Sequence, residues 1–253
     1  MLAAGWTLVA MPVQAVLLVS RGRGKERFAR VYWGGVSRIL GLKLRVIGEL
    51  AAARPVLFIA NHSSWLDIVA LGAVLPACFI AKGEVAGWPV LNLIAKLGRT
   101  IFVSRGRETV AREQRDLQER LAAGDNILLF PEGTTSDGNR ILPFSAAFFT
   151  LAFCPAHPAV QAVTIVYDEL DGVPVQDAGR AEIAWYGDMA LAPHFAKLMR
   201  RRSIRASIVL GEPVPLDAYK NRKALSAALE SEISSTAVAL REGRYTKASP
   251  KLS

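Results

Sequence analysis

The chain has 253 residues, 51% of them hydrophobic, with 31 Lys and Arg against 22 Asp and Glu, a formal net charge of +9. That length accommodates one α/β domain with a substantial core, and a mean hydropathy of +0.26 points towards contact with a membrane. The positive balance favours an anionic partner: a phospholipid surface, a nucleic acid or a phosphorylated metabolite. Cys78 and Cys154, both in apolar surroundings, argue against a disulfide framework and fit a reducing compartment.

No charged residue occurs in the opening run MLAAGWTLVAMPVQAVLLVS, and the basic stretch RGRGKERFAR comes directly after it. Nothing basic precedes the apolar run, so a retained segment that spans or dips into the membrane is expected in place of a cleaved secretory signal. A buried core helix is the competing reading, and Pro12 is a candidate kink. The flank of Arg21, Arg23, Lys25, Arg27 and Arg30 places the rest of the chain on the cytoplasmic side of an inner membrane.

Beyond the flank, short apolar runs alternate with amphipathic stretches. LKLRVIG, PVLFIA, ACFIAK, TIFVS, NILLF, AVQAVTIVY, AEIAWYG and RASIVLG read as strands. Glu84 to Leu97, Arg107 to Ala123 and Ala224 to Arg241 read as helices. This alternation predicts an α/β fold with a mixed, largely parallel central sheet flanked by helices, preceded by an N-terminal membrane-associated helix. The expected organisation is a membrane segment with basic flank over 1–30, one folded domain over 31–242 and a polar tail over 243–253.

The basic residues fall in short clusters such as RRRSIR without aromatic interleaving, which sets nucleic acid aside. His62, His157 and His194 lack the spacing and acidic neighbours of a metal site, so no metal is expected. Cys154 and His157, in CPAH, read as a helix end and not as a thiol and base pair.

The stretch FIANHSSWLDIVALG, Phe58 to Gly72, places His62 in a turn between an apolar strand and an apolar helix. Ser64 and Asp67 alone form an S-x-x-D helix start, with the serine as cap and the acid near the positive helix terminus. His62 is left over by that account. It stands just after a strand end, where ligands of open α/β sheets bind. Asp67, on the first helical turn, can reach back to Nδ1 of His62 and leave Nε2 as an acceptor, the arrangement of a general base. Two further strand ends, GRTIFVSRGR and ILLFPEGTTSDGNRILPF, also run into polar, charged loops.

Together these blocks resemble the glycerolipid acyltransferase family that includes 1-acyl-glycerol-3-phosphate acyltransferases. The resemblance rests on H-x-x-x-x-D at His62 and Asp67, F-x-x-R at Phe102 to Arg105 and F-P-E-G-T at Phe130 to Thr134, and it covers Leu57 to Val166. It implies that His62 is the general base and Asp67 its orienting partner. Arg105, Glu132, Gly133 and Thr134 would then belong to the acceptor site, with Lys82 a further phosphate candidate. Arg105 offers a planar donor array suited to a phosphate, and Glu132 can accept from hydroxyls where Gly133 permits close backbone approach. The chain departs from the family pattern at Ser104, where an acid is common, at Ser145, where a lysine often stands, and at Ala162, in place of a proline.

The resemblance implies transfer of a fatty acyl group from coenzyme A or acyl carrier protein to the sn-2 hydroxyl of lysophosphatidic acid, with no cofactor beyond the donor substrate. Membrane lipids, and acyl carrier protein if it is the donor, are the expected partners. Ser63 as nucleophile is the competing mechanism, without a G-x-S-x-G elbow to support it. A lyso-ornithine-lipid acyltransferase and a non-enzymatic basic membrane-binding protein are the alternative functions.

Overall fold

A computed structural model describes residues 2–19, 22–82, 99–103 and 107–245, with the backbone alone at 81–82, 101–103 and 107–112. The helix expected over Glu84 to Leu97 lies outside the described residues. Eight strands form one sheet: β1 (Leu42–Ile47), β2 (Val56–Ala60), β3 (Cys78–Lys82), β4 (Ile101–Val103), β5 (Ile127–Leu129), β6 (Ala159–Leu170), β7 (Val173–Pro174) and β8 (Ile204–Val214). Their order is β1-β8-β6-β2-β5-β3-β4, with β7 hydrogen-bonded to β6. All pairs are parallel except those of β6 with β7 and β8, so the sheet is mixed and largely parallel, as expected.

Helices cover both faces, and this explains why the central strand β2 is apolar at every position and buried throughout. Phe58 and Ala60 point to one face, where α1 (Leu2–Val19), α2 (Gly24–Ile39), α3 (Leu66–Val74), α5 (Asp177–Ile183) and α6 (Leu191–Leu198) pack. Leu57 and Ile59 point to the other, against α4 (Arg107–Ala122), the 3₁₀ helix Phe148–Phe153 and α7 (Arg222–Arg241). The Asn221 side chain caps α7 by accepting from the amides of Lys223 and Ala224.

One expected strand is a helix. AEIAWYG contributes the end of α5 and an irregular segment, with Ile183 and Ala184 buried in the core. Its short apolar alternation also suits a helix end that plugs the core, and along β6 the neighbouring edge is already occupied by β8 and β7.

The apolar helix α1 runs unbroken through Pro12 and lies antiparallel to α2. The indole N–H of Trp6 donates to the carbonyl of Tyr32 at 3.0 Å, and the Gln14 amide donates to the carbonyl of Lys25 at 3.2 Å. Trp6 sits over Gly35, where a Cβ would meet its ring at 2.5 Å. The same device joins α2 to α3, because Trp33 occupies the space a Cβ on Gly72 would need, 2.4 Å away. Leu8, Val9, Val16 and Val19 on the outer side of α1 are exposed, and this is the one helix among the described residues long and apolar enough to cross a membrane.

Candidate active site

The site is assembled where β2, β5 and β6 deliver their ends to one place. As β2 leaves the sheet, the Asn61 side chain takes over the ladder. Its amide donates to the carbonyl of Ile165 and its oxygen accepts from the amide of Ile165, both at 2.9 Å. The main chain is thereby released into the turn that carries His62 without orphaning β6.

Nδ1 of His62 lies 2.8 Å from Oδ2 of Asp67. The same oxygen accepts from the amides of Ser63 at 2.7 Å and Ser64 at 2.9 Å, while Oδ1 accepts from the hydroxyl of Tyr167 at 2.7 Å. Asp67 is fully buried, and four donors compensate its removal from water. The Tyr167 hydroxyl is pushed well above its ordinary pKa by burial and by the adjacent carboxylate, so it remains a donor. The expectation that Ser64 caps α3 needs correction. Its hydroxyl donates to the carbonyl of Ile183 at 2.8 Å and only approaches the amide of Leu66, at 3.4 Å, whereas Asp67 receives the amides.

The imidazole stacks on Phe130, with centroids 4.1 Å apart and ring planes 16° from parallel. Among the described residues its Nε2 makes no hydrogen bond, and the side chain is 18% exposed. The ring is therefore held at one nitrogen and along one face while the other nitrogen is available to an incoming hydroxyl.

Glu132 grips the turn from the second loop. Its Oε1 accepts from the amide of His62 at 2.6 Å and its Oε2 from the amide of Leu142 at 2.8 Å. Its pKa is raised to about 7, chiefly by burial and in smaller part by Asp67, against the lowering effect of those two N–H groups and of Arg241. The loop is tied a second time where the amide of Ser136 donates to the carbonyl of His62 at 2.9 Å. Gly133, at φ 66°, turns the chain after Glu132 with its amide on the carbonyl of Phe130, and it is exposed together with Thr134. Behind the dyad, Asn61, Ser63, Gly138, Tyr167, Arg180 and Arg241 line a polar cavity of about 10 Å³, room for about one water.

The structure thus brings His62, Asp67, Glu132 and Gly133 together. Lys82 ends β3 on the same edge of the sheet, with only its backbone described, and Arg105 and Ser104 lie outside the described residues. Ser145 is exposed, its amide on the carbonyl of Pro131. Ala162 is buried in β6. Among the described residues no cluster of His, Cys, Asp and Glu could hold a metal. Sequence reading assigned no role to Tyr167, Phe130 or Asn61. Phe130 stood inside a recognised block, but only the fold brings Tyr167 to Asp67, 100 residues away.

Known proteins resemble this chain in sequence and fold. The family model described as Acyltransferase matches residues 43–167. A lyso-ornithine lipid O-acyltransferase of Brucella abortus is 38% identical over 234 residues, covering 90% of this chain and 88% of that protein. A 1-acyl-sn-glycerol-3-phosphate acyltransferase of Neisseria meningitidis is 41% identical over 138 residues, 53% of this chain and 54% of that one. The crystal structure of a 1-acyl-sn-glycerophosphate acyltransferase from Thermotoga maritima superposes with a TM-score of 0.64 at 20% identity, over 96% of this chain and 90% of that one, a likeness of fold. With a dyad, a stacked ring and a relative matched almost end to end, the chain belongs to the lysophospholipid acyltransferase family.

Proposed function

We propose that the protein transfers a fatty acyl group from an acyl thioester, coenzyme A or acyl carrier protein, to the hydroxyl of a membrane lysolipid, with His62 as general base. Nε2 takes the hydroxyl proton as the oxygen attacks the thioester carbonyl. The C–S bond then breaks, and the imidazolium returns the proton to the departing thiolate. Asp67 holds the tautomer and stabilises the transient imidazolium. The observation that carries this reading is the 2.8 Å contact of Nδ1 with a buried carboxylate while Nε2 is left open. Ser63 is a poorer nucleophile candidate because it is 4% exposed, with its amide and carbonyl engaged by Asp67 and Trp185.

For the acceptor we favour lyso-ornithine lipid, because the resemblance to enzymes of that name runs along 90% of the chain, past the dyad and into the loops and helices around it. Ser145 in place of a lysine also suits a zwitterionic headgroup better than a phosphate monoester. Lysophosphatidic acid is the second reading, supported by the +9 charge and by 41% identity over 53% of the chain to an acyltransferase of that acceptor. We place the catalytic domain on the cytoplasmic side of an inner membrane, from the basic flank after α1. Side-by-side kcat/KM values for the two lysolipids, with product masses, test the acceptor. A higher value for lysophosphatidic acid would move the assignment to phosphatidic acid synthesis. A His62→Ala enzyme with near-normal turnover would remove the base.

A further inference from the structure

The segment that covers the catalytic turn presents an apolar surface outward. Helix α6 buries His194 and Leu198 and exposes Ala192, Pro193, Phe195 and Ala196. Met189 before it and Met199 after it are both 38% exposed, and Phe195 between them is 40% exposed. On this outer side the helix carries one charged residue, Lys197, which lies 3.8 Å from Glu182. Three arginines come next in the chain. Arg201 is tied to Glu182 and Asp171, whereas Arg200 and Arg202 project from the surface. Half-buried Trp185 and Tyr186 precede the helix. An apolar strip with aromatic neighbours and a cationic border is the composition of a helix lying in a lipid interface.

Its position gives the strip a use. The amide of Trp185 donates to the carbonyl of Ser63 at 2.8 Å, and the indole of Trp65, three residues after His62, donates to Nδ1 of His194 at 3.0 Å. Phe195 packs on Trp65 with centroids 5.6 Å apart. The strip is thus the outer skin of the turn that bears the dyad. It also shares a sheet face with α1, since Ala10 of α1 and Leu198 of α6 belong to the same core cluster.

We propose that Met189, Phe195 and Met199, bordered by Arg200 and Arg202, form a second membrane contact that rests the mouth of the active site on an anionic bilayer. The bilayer is the occupant because the strip lies on the face that already carries the exposed apolar surface of α1, and because Arg200 and Arg202 make its Met199 end positive against the single exposed acid, Asp188, beside Met189. A lysolipid then reaches His62 by a short lift out of the leaflet, its single acyl chain remaining among lipid.

Cys78 and Cys154 are buried, so a cysteine introduced at the surface can be labelled selectively. Full-length Phe195→Cys and Met199→Cys, each carrying an environment-sensitive fluorophore, would be reconstituted in phosphatidylglycerol and phosphatidylcholine vesicles and quenched with spin-labelled lipids. Val238→Cys, exposed on α7 at the opposite face, is the control. Labels at 195 and 199 should be quenched and that at 238 should not; equal or absent quenching overturns the proposal. Protection of the label only on adding acyl carrier protein also overturns it and assigns the face to that protein. Phe195→Glu with Met199→Glu should lower kcat/KM for vesicle-borne lysolipid by ~10- to 100-fold, the worth of burying one such side chain, while sparing a short-chain monomeric lysolipid. Equal loss on both substrates would make the strip merely structural. The quenching result stands whichever lysolipid is acylated.

Discussion

Asp67→Asn separates the charge of Asp67 from its geometry. The three donors on Oδ2 are His62 Nδ1 and the amides of Ser63 and Ser64, and the amides can only donate. They hold the oxygen of the new amide in place of Oδ2 and prevent a flip that would present N–H to the imidazole. The amide nitrogen then faces the Tyr167 hydroxyl, whose oxygen can accept. The shape is conserved and each pair stays hydrogen-bonded, but the buried Tyr167 O–H loses the acceptor it had in Oδ1, so stability should fall by ~1–3 kcal/mol while the fold is kept. What is lost is the attraction between carboxylate and imidazolium. For charge centres about 4 Å apart at an effective dielectric of ~20 this is ~4 kcal/mol, or ~10³-fold in rate. Steady-state kinetics in detergent with saturating thioester should therefore show kcat falling by about that factor and KM for both substrates holding. A fall below ~10-fold, about 1.4 kcal/mol, in enzyme that is still fully folded at the assay temperature would refute the claim that Asp67 acts through its charge.

Tyr167→Phe is the converse: it strips Oδ1 of its donor in a buried site, so stability should fall by ~1–3 kcal/mol, while kcat changes less than in Asp67→Asn because Oδ2 remains held; calorimetry and kinetics on one preparation decide it. Glu132 has its pKa raised to about 7 from 4.5 in the fold, so the folded state binds the extra proton and this group's contribution to stability falls as pH rises from ~4.5 through 7. Relative to the wild type, Glu132→Gln should gain stability between pH 5 and 8, by up to about 3 kcal/mol, and a pH-independent difference would contradict the burial argument. Gly72→Ala forces a methyl against the Trp33 ring and should cost ~1–3 kcal/mol; a neutral melting temperature would show that α2 and α3 are not locked there. Hydrophobic attachment through α1 should survive high salt and yield to detergent in a membrane fractionation, whereas release by salt alone would mean that charge holds the protein.

Much of this was legible in the linear chain because it is local. The strand runs and the dyad turn are contiguous; a histidine left unexplained by a capping motif marked the turn as a candidate, and the blocks at Phe102 to Arg105 and Phe130 to Thr134 decided between a site and a plain turn. Tyr167 was not legible, since it is a strand residue like its neighbours until the β2 and β6 register carries it to Asp67. Glu132 was legible as a residue but not by its contacts, because both observed partners are peptide N–H groups, which every residue except proline supplies. The helical end of α5 was misread because its burial depends on a core that only the complete sheet creates.

The two amides on Asp67 have an evolutionary consequence. Contacts made by side chains are open to loss whenever a codon changes, but these belong to the main chain at positions 63 and 64, and among the standard residues only proline would remove either. Substitution of Ser63 or Ser64 can therefore alter the cavity, or the bond to Ile183, without removing those two donors. That part of the site is insulated from point mutation, so divergence in acceptor can proceed in the surrounding loops while the base keeps its orienting acid.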